Sequence, residues 1–329
     1  MRQPVRPIAT LLLLAAFAAC DGSSPGPGPG PAPGGPARRP RFAFVSNNFS
    51  PFWIIAQKGL EKAKEDFGID VEFRAPRSGK LDEQRRILED LLAQGVDGIA
   101  VSPIDPEALN DLLNQAAARI PLICHDSDAP KSSRLCYIGT DNYKAGREAG
   151  LAMKEALGPE GGKVAIFVGR LDAQNAQERR QGFLDEIQGT KIALVKDALD
   201  YAKPDVAQKN AEEALAATPD LAALLGLYSY NGPRLAAAAK ATGRAGSVKI
   251  VCFDEDEGTL QAVKEGVIHA TVVQKPFEFG YQSMKVLKAV KDGKAAGTIP
   301  ENRIIDTGVE TVRKESVEAF WTRLKELTK

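Results

Sequence analysis

Several polar and aromatic side chains come just after short apolar segments of the chain. Asp126 comes soon after the apolar run 120–124, and Asp254 comes directly after the run 248–253. Carboxylates accept hydrogen bonds from hydroxyl groups, Arg and Gln side chains donate them, and flat aromatic rings cover C–H faces. These residue types together are suited to binding a sugar. The candidate binding residues are Ser46, Phe52, Trp53, Ser102, Asp126, Arg179, Tyr228, Asn231, Asp254 and Gln274.

The candidate residues do not include a recognisable catalytic set. No nucleophile is paired with a base, and the chain has only two histidines, His125 and His269. A single His beside Asp126 is more often structural than a metal ligand, so we predict no metal, no cofactor and no enzymatic activity. One enzymatic alternative stays open. A glycosidase would use two carboxylates about 5–10 Å apart, and Asp126 and Asp254 are the available pair.

Each candidate also has a structural interpretation. Asp126 and Asp254 both follow predicted strands and could cap helices. Phe52 could pack in a core, and Tyr228 could pack beneath a hinge. Arg179 stands in a charged run that could be a solvated helix face. The equivalent positions of the two carboxylates, each just after a strand, favour contact with a ligand.

Apolar segments typical of strands alternate with segments of helical periodicity. Strands that are apolar on both faces indicate a parallel sheet with crossover helices, in which ligands bind beyond the carboxyl ends of the strands. Two domains of about 130 residues each are favoured over one ten-stranded sheet. The predicted strands are 41–46, 71–75, 98–101, 120–124, 163–168, 192–195, 221–227, 248–253 and 269–273.

The first forty residues are predicted to lie outside the folded domains. Residues 1–19 carry two arginines and then a twelve-residue apolar run, which is typical of a secretory signal peptide and too short to span a bilayer. Small residues precede Cys20, as in bacterial lipoprotein signals, where this Cys becomes lipidated. Of the next twenty residues, 21–40, seven are Pro and six are Gly, which predicts an extended tether. An ordinary secretory signal with an incidental Cys is the alternative.

The overall composition is that of a globular protein. The 329 residues are 43% apolar, and 43 basic residues balance 43 acidic ones. A net charge of zero argues against a nucleic-acid partner. Two cysteines, Cys124 and Cys136, are predicted to end neighbouring strands. An exported protein could join them in a disulfide, and buried free thiols are the alternative.

The segments quoted next resemble one family. They are 42–46 with 51–53, Gly98–Pro103, 120–123 with Asp126, 137–142, Glu178–Arg179 with Gly182–Phe183, 251–254, and Gln274. In this order and at these separations they are similar to the periplasmic sugar-binding proteins of ABC importers, of the ribose- and galactose-binding type. The resemblance covers Phe42 to Gly308.

The resemblance implies a type I periplasmic binding protein fold, an α/β fold with two doubly wound parallel-sheet lobes joined by a three-segment hinge. The first lobe would comprise 41–140 plus 274–296, and the second 141–273. Residues 297–329 would hold the hinge return and a terminal helix. The implied protein is a monomer outside the cytoplasmic membrane, anchored by lipid at Cys20. It would capture a sugar by lobe closure and deliver it to a membrane permease.

The resemblance also implies roles for individual residues. Phe52 and Trp53 match aromatics that sandwich the sugar. Asp126 and Asp254 match carboxylates that bind hydroxyls, one from each lobe. Arg179 and Gln274 match polar contacts of the second lobe and hinge. Ser46, Ser102, Tyr228 and Asn231 complete the set.

Three positions depart from the ribose-binding pattern. Ser127 stands where that pattern has an Arg, Ser50 stands near an expected Asn, and Ser102 stands near another expected amide. A ligand larger than ribose, or differently oxidised, would fill the space. The segment Asp126-Ser127-Asp128 is also similar to autoinducer-2 binding relatives of the same fold. A receptor for such a ligand, or for a polyol, is therefore the alternative function.

Overall fold

The computed structural model describes residues 38–50 and 52–328. The predicted signal peptide, Cys20 and nearly all of the predicted tether lie outside these residues. From Arg39 onward the chain forms one unit.

Strands and helices alternate along the described chain. In chain order they are β1 (Arg41–Val45), α1 (Phe52–Phe67), β2 (Asp70–Arg74), α2 (Leu81–Ala93), β3 (Gly98–Val101), α3 (Pro106–Ala117), β4 (Leu122–His125), β5 (Tyr137–Gly139), α4 (Asn142–Leu157), β6 (Gly162–Val168), α5 (Gln174–Ile187), β7 (Ile192–Leu199), α6 (Pro204–Ala217), β8 (Leu221–Gly226), α7 (Asn231–Ala241), β9 (Lys249–Phe253), α8 (Glu257–Glu265), β10 (Ala270–Val273), α9 (Pro276–Lys291), β11 (Ile304–Asp306), β12 (Glu310–Arg313) and α10 (Val317–Leu327).

Two sheets of matching topology organise the two lobes. The first has the order β11-β5-β4-β3-β1-β2, and the second has the order β12-β10-β9-β8-β6-β7. Each strand therefore has a counterpart in the other lobe, and β4 corresponds to β9. The predicted fold class is confirmed, with one correction. The edge strand β12 runs antiparallel to β10, so the second sheet is not wholly parallel.

The chain passes between the two sheets three times. It leaves the first sheet after β5 and returns to it after β10. It crosses again between β11, which pairs with β5, and β12, which pairs with β10. The crossings fall at 140–141, 274–275 and 307–309. The strands β11 and β12 were not predicted, because three or four half-polar residues carry little strand signal alone.

A close helix pair covers one face of each sheet. In the first lobe α1 packs against α9, and in the second α5 packs against α4. Glycines allow the approach. A Cβ on Gly280 of α9 would lie 2.2 Å from the Ala56 carbonyl oxygen, and one on Gly146 of α4 would lie 2.1 Å from that of Arg179. In each pair, one helix lies within its lobe (α1 or α5). The other directly follows a segment in which the chain crosses between the lobes (α9 or α4).

The strands are buried on both faces, as their apolar sequences predict. In β1, for example, Phe42 and Phe44 face the cluster beneath α1 and α9, while Ala43 and Val45 face the opposite cluster. Cys136 lies in the first of these clusters and Cys124 in the second. The two thiols therefore point to opposite sides of the sheet, and both are free. Buried thiols, not a disulfide, are present at these positions.

The C-terminal segment forms a helix on the second lobe. Val317 is fully buried, and Phe320, Trp321 and Leu324 of α10 pack on the core beside α8. Between residues 38 and 328, Pro51 apart, no helix is long and apolar enough to cross a membrane.

Candidate functional site

Asp126 lies just beyond the carboxyl end of β4. It is 5% exposed, and its Oδ2 accepts hydrogen bonds from Ser102 Oγ at 2.8 Å and Asn47 Nδ2 at 3.0 Å. These donors follow β3 and β1, the two strands between which the order of the first sheet reverses. Such switch points are where doubly wound sheets bind ligands. The first lobe thus presents a buried carboxylate at its expected binding point.

Asp254 occupies the equivalent place in the second lobe, directly after β9. It is 4% exposed, and its Oδ1 accepts a 2.8 Å hydrogen bond from Gln274 Nε2. The cap of the following helix α8 is Asp256, not Asp254, and no helix begins after Asp126. The helix-capping alternative for the two carboxylates is therefore wrong.

Both carboxylates stand on left-handed backbone, with φ of +58° at Asp126 and +69° at Asp254. This conformation is uncommon for residues other than Gly, and strained positions held by their surroundings are concentrated at functional sites. The two sheets therefore hold an aspartate on the same unusual backbone at the same point.

Arg179 of α5 lies in the second lobe with only 1% of its surface exposed. Its Nε donates to Asn142 Oδ1 at 2.9 Å, one Nη donates to the Leu227 carbonyl at 2.7 Å, and the guanidinium lies 4.5 Å from the Phe253 ring centroid. The other Nη has no partner in the protein. The solvated-face alternative for Arg179 is wrong, and the N–H groups of this second Nη are available as donors.

Charges from both lobes act on one another across the cleft. Burial raises the pKa of Asp126 to about 6, although Arg179 of the other lobe lowers it in part and Asp254 raises it. Burial also raises the pKa of Asp254, and Arg179 again opposes the rise. One guanidinium and two carboxylates therefore form a single electrostatic unit built from both lobes.

The two predicted aromatics lie at the start of α1. Trp53 is 2% exposed, packs edge-on against Phe44 and His125, and donates from Nε1 to Asn48 Oδ1 at 3.2 Å. Phe52 is half-buried and contacts Trp53 edge-on. Both rings belong to the first-lobe core, and the sugar-stacking role stays a prediction. Burial lowers the pKa of His125 to about 3, which makes it a neutral core residue.

Of the remaining predicted residues, Gln274 has an unpartnered polar atom, and the other three are hydrogen-bonded within the protein. Gln274 Oε1 is buried and has no protein partner. Ser46 donates its hydroxyl to the Asn48 carbonyl at 2.7 Å, and so orders the loop after β1. Asn231 donates to Asp200 and accepts from the Tyr228 backbone, which occupies both ends of its amide. Tyr228 is half-buried, with its hydroxyl 3.4 Å from Asn175 Oδ1.

Three supporting residues were not predicted. Asn47 follows Ser46 directly, and its position after a strand end was a usable signal. Asn142 begins α4 and holds Arg179 across the helix pair. Gln84 of α2 is fully buried and donates to the Ser46 and Ser102 carbonyls, which ties the ends of β1 and β3 together. No local pattern marks Gln84, because its partners are 18 and 38 residues distant.

The chemistry available here is hydrogen bonding. Carboxylate acceptors, one amide oxygen and one guanidinium donor converge from both lobes in a buried setting. In the described parts of the chain, no three His, Cys, Asp or Glu side chains are placed to hold a metal ion. Two α/β lobes with a hinge of three segments and polar groups facing each other define a two-lobed solute-binding protein.

The chain belongs to the periplasmic binding protein domain family, whose model matches residues 42–295. A ribose import binding protein of Bacillus subtilis is 27% identical and covers 89% of this chain and 95% of its own length. A D-ribose/D-allose-binding protein of Pseudomonas aeruginosa is 29% identical, covering 83% and 89%. The predicted family resemblance is confirmed.

Solved structures agree with this assignment. A glucose-galactose binding protein from Geobacillus stearothermophilus has a TM-score of 0.80 at 31% identity, covering 84% of this chain and 98% of that one. An ABC transporter solute-binding protein from Burkholderia graminis, in complex with D-arabinose, has a TM-score of 0.80 at 30% identity, covering 86% and 98%.

Proposed function

We propose that this protein captures a neutral monosaccharide between its lobes and delivers it to the membrane permease of an ABC importer. The observation that carries the proposal is that Asp126 of the first lobe lies close enough to Arg179 and Asp254 of the second for their charges to act on it. Each lobe holds only part of this set. A sugar that bridges the lobes therefore makes its full set of contacts only when they are closed.

The proposed contacts follow from the atoms that are free. Asp126 and Asp254 accept hydrogen bonds from sugar hydroxyls, each steadied by neighbours that leave lone pairs available. Arg179 donates its unpartnered Nη, and Gln274 offers its unpartnered Oε1. Phe52 covers a C–H face. Charge-assisted hydrogen bonds of this kind contribute about 1.5–3 kcal/mol each, which suits tight binding of a small ligand.

The charges in the cleft favour a neutral sugar over an acidic one. Ser127 replaces the Arg of the ribose-binding pattern, and the first lobe therefore offers no guanidinium beside Asp126. An acid sugar would meet two carboxylates and one Arg, so a neutral pentose or hexose is favoured. The autoinducer-2 alternative gains no support, because Asp128 is paired in two hydrogen bonds with Arg134.

The proposed location is the outer side of the cytoplasmic membrane. Family membership places the protein outside the cytoplasm. We further propose lipid attachment at Cys20, a monomeric state, and a tether from Asp21 to Pro40 that lets the lobes reach the permease. Radiolabelled palmitate incorporation into the full chain, lost in Cys20→Ala, tests the anchor.

A thermal-shift screen followed by calorimetry tests the function. The panel is D-ribose, D-allose, D-arabinose, D-glucose and D-galactose, with D-galacturonate as the acid control. A sugar at 100 times its Kd adds ~2.7 kcal/mol of stability, which raises the Tm by roughly 5 °C. We expect at least one neutral sugar to do this and galacturonate to do nothing. If no neutral sugar shifts the Tm or gives binding heat, the proposed function is wrong.

A further inference from the structure

A third buried carboxylate, Glu255, follows Asp254 in the second lobe. The residue is 7% exposed, and neither Oε1 nor Oε2 accepts a hydrogen bond from another residue. The two residues on either side of Glu255 both have hydrogen-bond partners. Asp254 accepts from Gln274, and Asp256 caps α8 through the Gly258 amide. Of the two buried members of this acidic run, Asp254 and Glu255, only Glu255 receives no hydrogen bond from another side chain.

The equivalent residue of the first lobe is also unpartnered. β4 and β9 correspond, Asp126 and Asp254 correspond, and so Ser127 corresponds to Glu255. Ser127 is 2% exposed, and its Oγ has no partner either. Both lobes thus place a buried, unsatisfied polar side chain one residue beyond the left-handed Asp. Arg179 and Gln274, the other site residues with free polar atoms, both act on the neighbouring Asp254, Arg179 through its charge and Gln274 through a hydrogen bond.

A structural role does not account for Glu255. Burying a carboxyl group without hydrogen bonds costs free energy, and a residue kept at such a cost is expected to be satisfied by something that binds. Burial, with Asp254 and Asp256 nearby, raises the pKa of Glu255 well above its usual range. The raised pKa favours the neutral, protonated carboxyl group, which can donate one hydrogen bond to a hydroxyl group and accept another.

We propose that Glu255 is a further ligand-contacting residue that determines sugar specificity by hydrogen bonding to a hydroxyl beyond those bound by Asp254. The proposal rests on the sugar-binding function proposed above. It places three acidic side chains against one Arg in the cleft, so the ligand is a neutral sugar rich in hydroxyl donors.

Three variants of the full chain test the proposal: Glu255→Ala, Glu255→Gln and the control Glu257→Ala, which lies two residues further on an exposed position. The probes are the neutral sugars of the panel above. Calorimetry should show at least a tenfold higher Kd for Glu255→Ala, and narrower differences in Kd among the sugars. Glu255→Gln keeps an oxygen acceptor and should recover part of the affinity. Glu257→Ala should match the wild type.

The melting temperature without ligand separates a binding role from a structural one. Because Glu255 has no partner in the protein, both substitutions should leave the Tm unchanged or raise it. A wild-type Kd in Glu255→Ala, or a lower Tm with no change in selectivity, overturns the proposal while the sugar-binding function stands. Absence of sugar binding by the wild type overturns both.

Discussion

At the residue scale, the binding point is set by two aspartates on left-handed backbone. Asn tolerates this conformation better than most residues, whereas a Cβ without a local polar group is strained there. Replacement of Asp126 or Asp254 by Asn therefore removes the charge and keeps the backbone. Replacement by Ala would mix the loss of charge with strain, so Asn is the informative variant.

Asp126→Asn should stabilise the protein without ligand while weakening sugar binding. The pKa of Asp126 is raised to about 6 from its ordinary value of 3.8. The folded state therefore favours the protonated carboxyl, and ionisation destabilises the fold as pH rises from about 4 to 7. A rise of about 2 units corresponds to a penalty on the order of 3 kcal/mol at pH 7. Urea denaturation of both proteins at pH 4 and pH 7 measures it.

Relative to the wild type, Asp126→Asn should have a higher free energy of unfolding at pH 7 and a smaller gain at pH 4. Its Kd for the sugar should be at least tenfold higher. Asp205→Asn is the control, because Asp205 is 95% exposed in its side chain. A gain of equal size at both pH values would mean that ionisation of Asp126 is not the cause.

We expect Trp53 to contribute mainly to stability and Phe52 mainly to sugar binding. Trp53 is almost fully buried, so Trp53→Ala should cost about 3–5 kcal/mol of unfolding free energy. Phe52 is half-buried, and Phe52→Ala should cost less stability but weaken sugar binding by roughly 0.5–1.5 kcal/mol. Urea denaturation and calorimetry measure the two effects. Unchanged affinity in Phe52→Ala would show that this ring only packs in the core.

At the element scale, the two helix pairs connect the hinge to the binding residues. Gly146 lets α4 approach the backbone of Arg179, and Asn142 on the same helix holds the guanidinium. Because α4 directly follows the first crossing, the position of Arg179 depends on the hinge geometry. The α1–α9 pair has the same construction in the first lobe through Gly59 and Gly280.

Gly146→Ala should reduce both stability and sugar affinity. The added Cβ would lie 2.1 Å from the Arg179 carbonyl oxygen, so the helices must separate. Overpacking of this kind costs about 1–3 kcal/mol, and displacement of Arg179 should raise the Kd as well. Leu151→Ala, at an exposed position of the same helix, is the control for both measurements. Full affinity in Gly146→Ala would mean that α4 does not position Arg179.

At the scale of the whole molecule, ligand binding and lobe closure should be one process. Asp126 belongs to one lobe, whereas Arg179 and Asp254 belong to the other. A ligand shifts a conformational equilibrium only through contacts that differ between the states, and here the closed state alone completes the set. Hinge closure of this kind is an established mode for two-lobed binding proteins.

Small-angle scattering should show a smaller radius of gyration when the best sugar of the panel is added. Asp254→Asn at the same sugar concentration should show little or no decrease, because it loses a contact of the closed state. An unchanged radius with sugar demonstrably bound to the wild type would rule out closure, although sugar binding itself would stand.

Much of the fold was predictable from local patterns. Apolar segments of four to eight residues bounded by polar turns predict strands, and 3.6-residue periodicity predicts helices. The predicted strands 98–101 and 163–168 agree with β3 and β6 because each is a short apolar segment that is buried in its sheet. The polar residues after strands were also visible, and Asp126, Arg179, Asp254 and Gln274 lie close enough to interact, whereas their contact with a ligand stays a prediction. These features depend on a few consecutive residues, so the sequence alone determined them.

Only the tertiary structure decided the rest, because it depends on distant partners. Pairing with β5 and β10 makes strands of β11 and β12, which have little strand signal of their own. Gln84 is held by hydrogen bonds to residues 18 and 38 positions away in the sequence. Trp53 packs in the core of the first lobe. In the sequence, Glu255 is one of four consecutive acidic residues. Its burial without a partner becomes apparent only in the folded lobe. Burial and pairing are properties of three-dimensional neighbourhoods, which no local pattern contains.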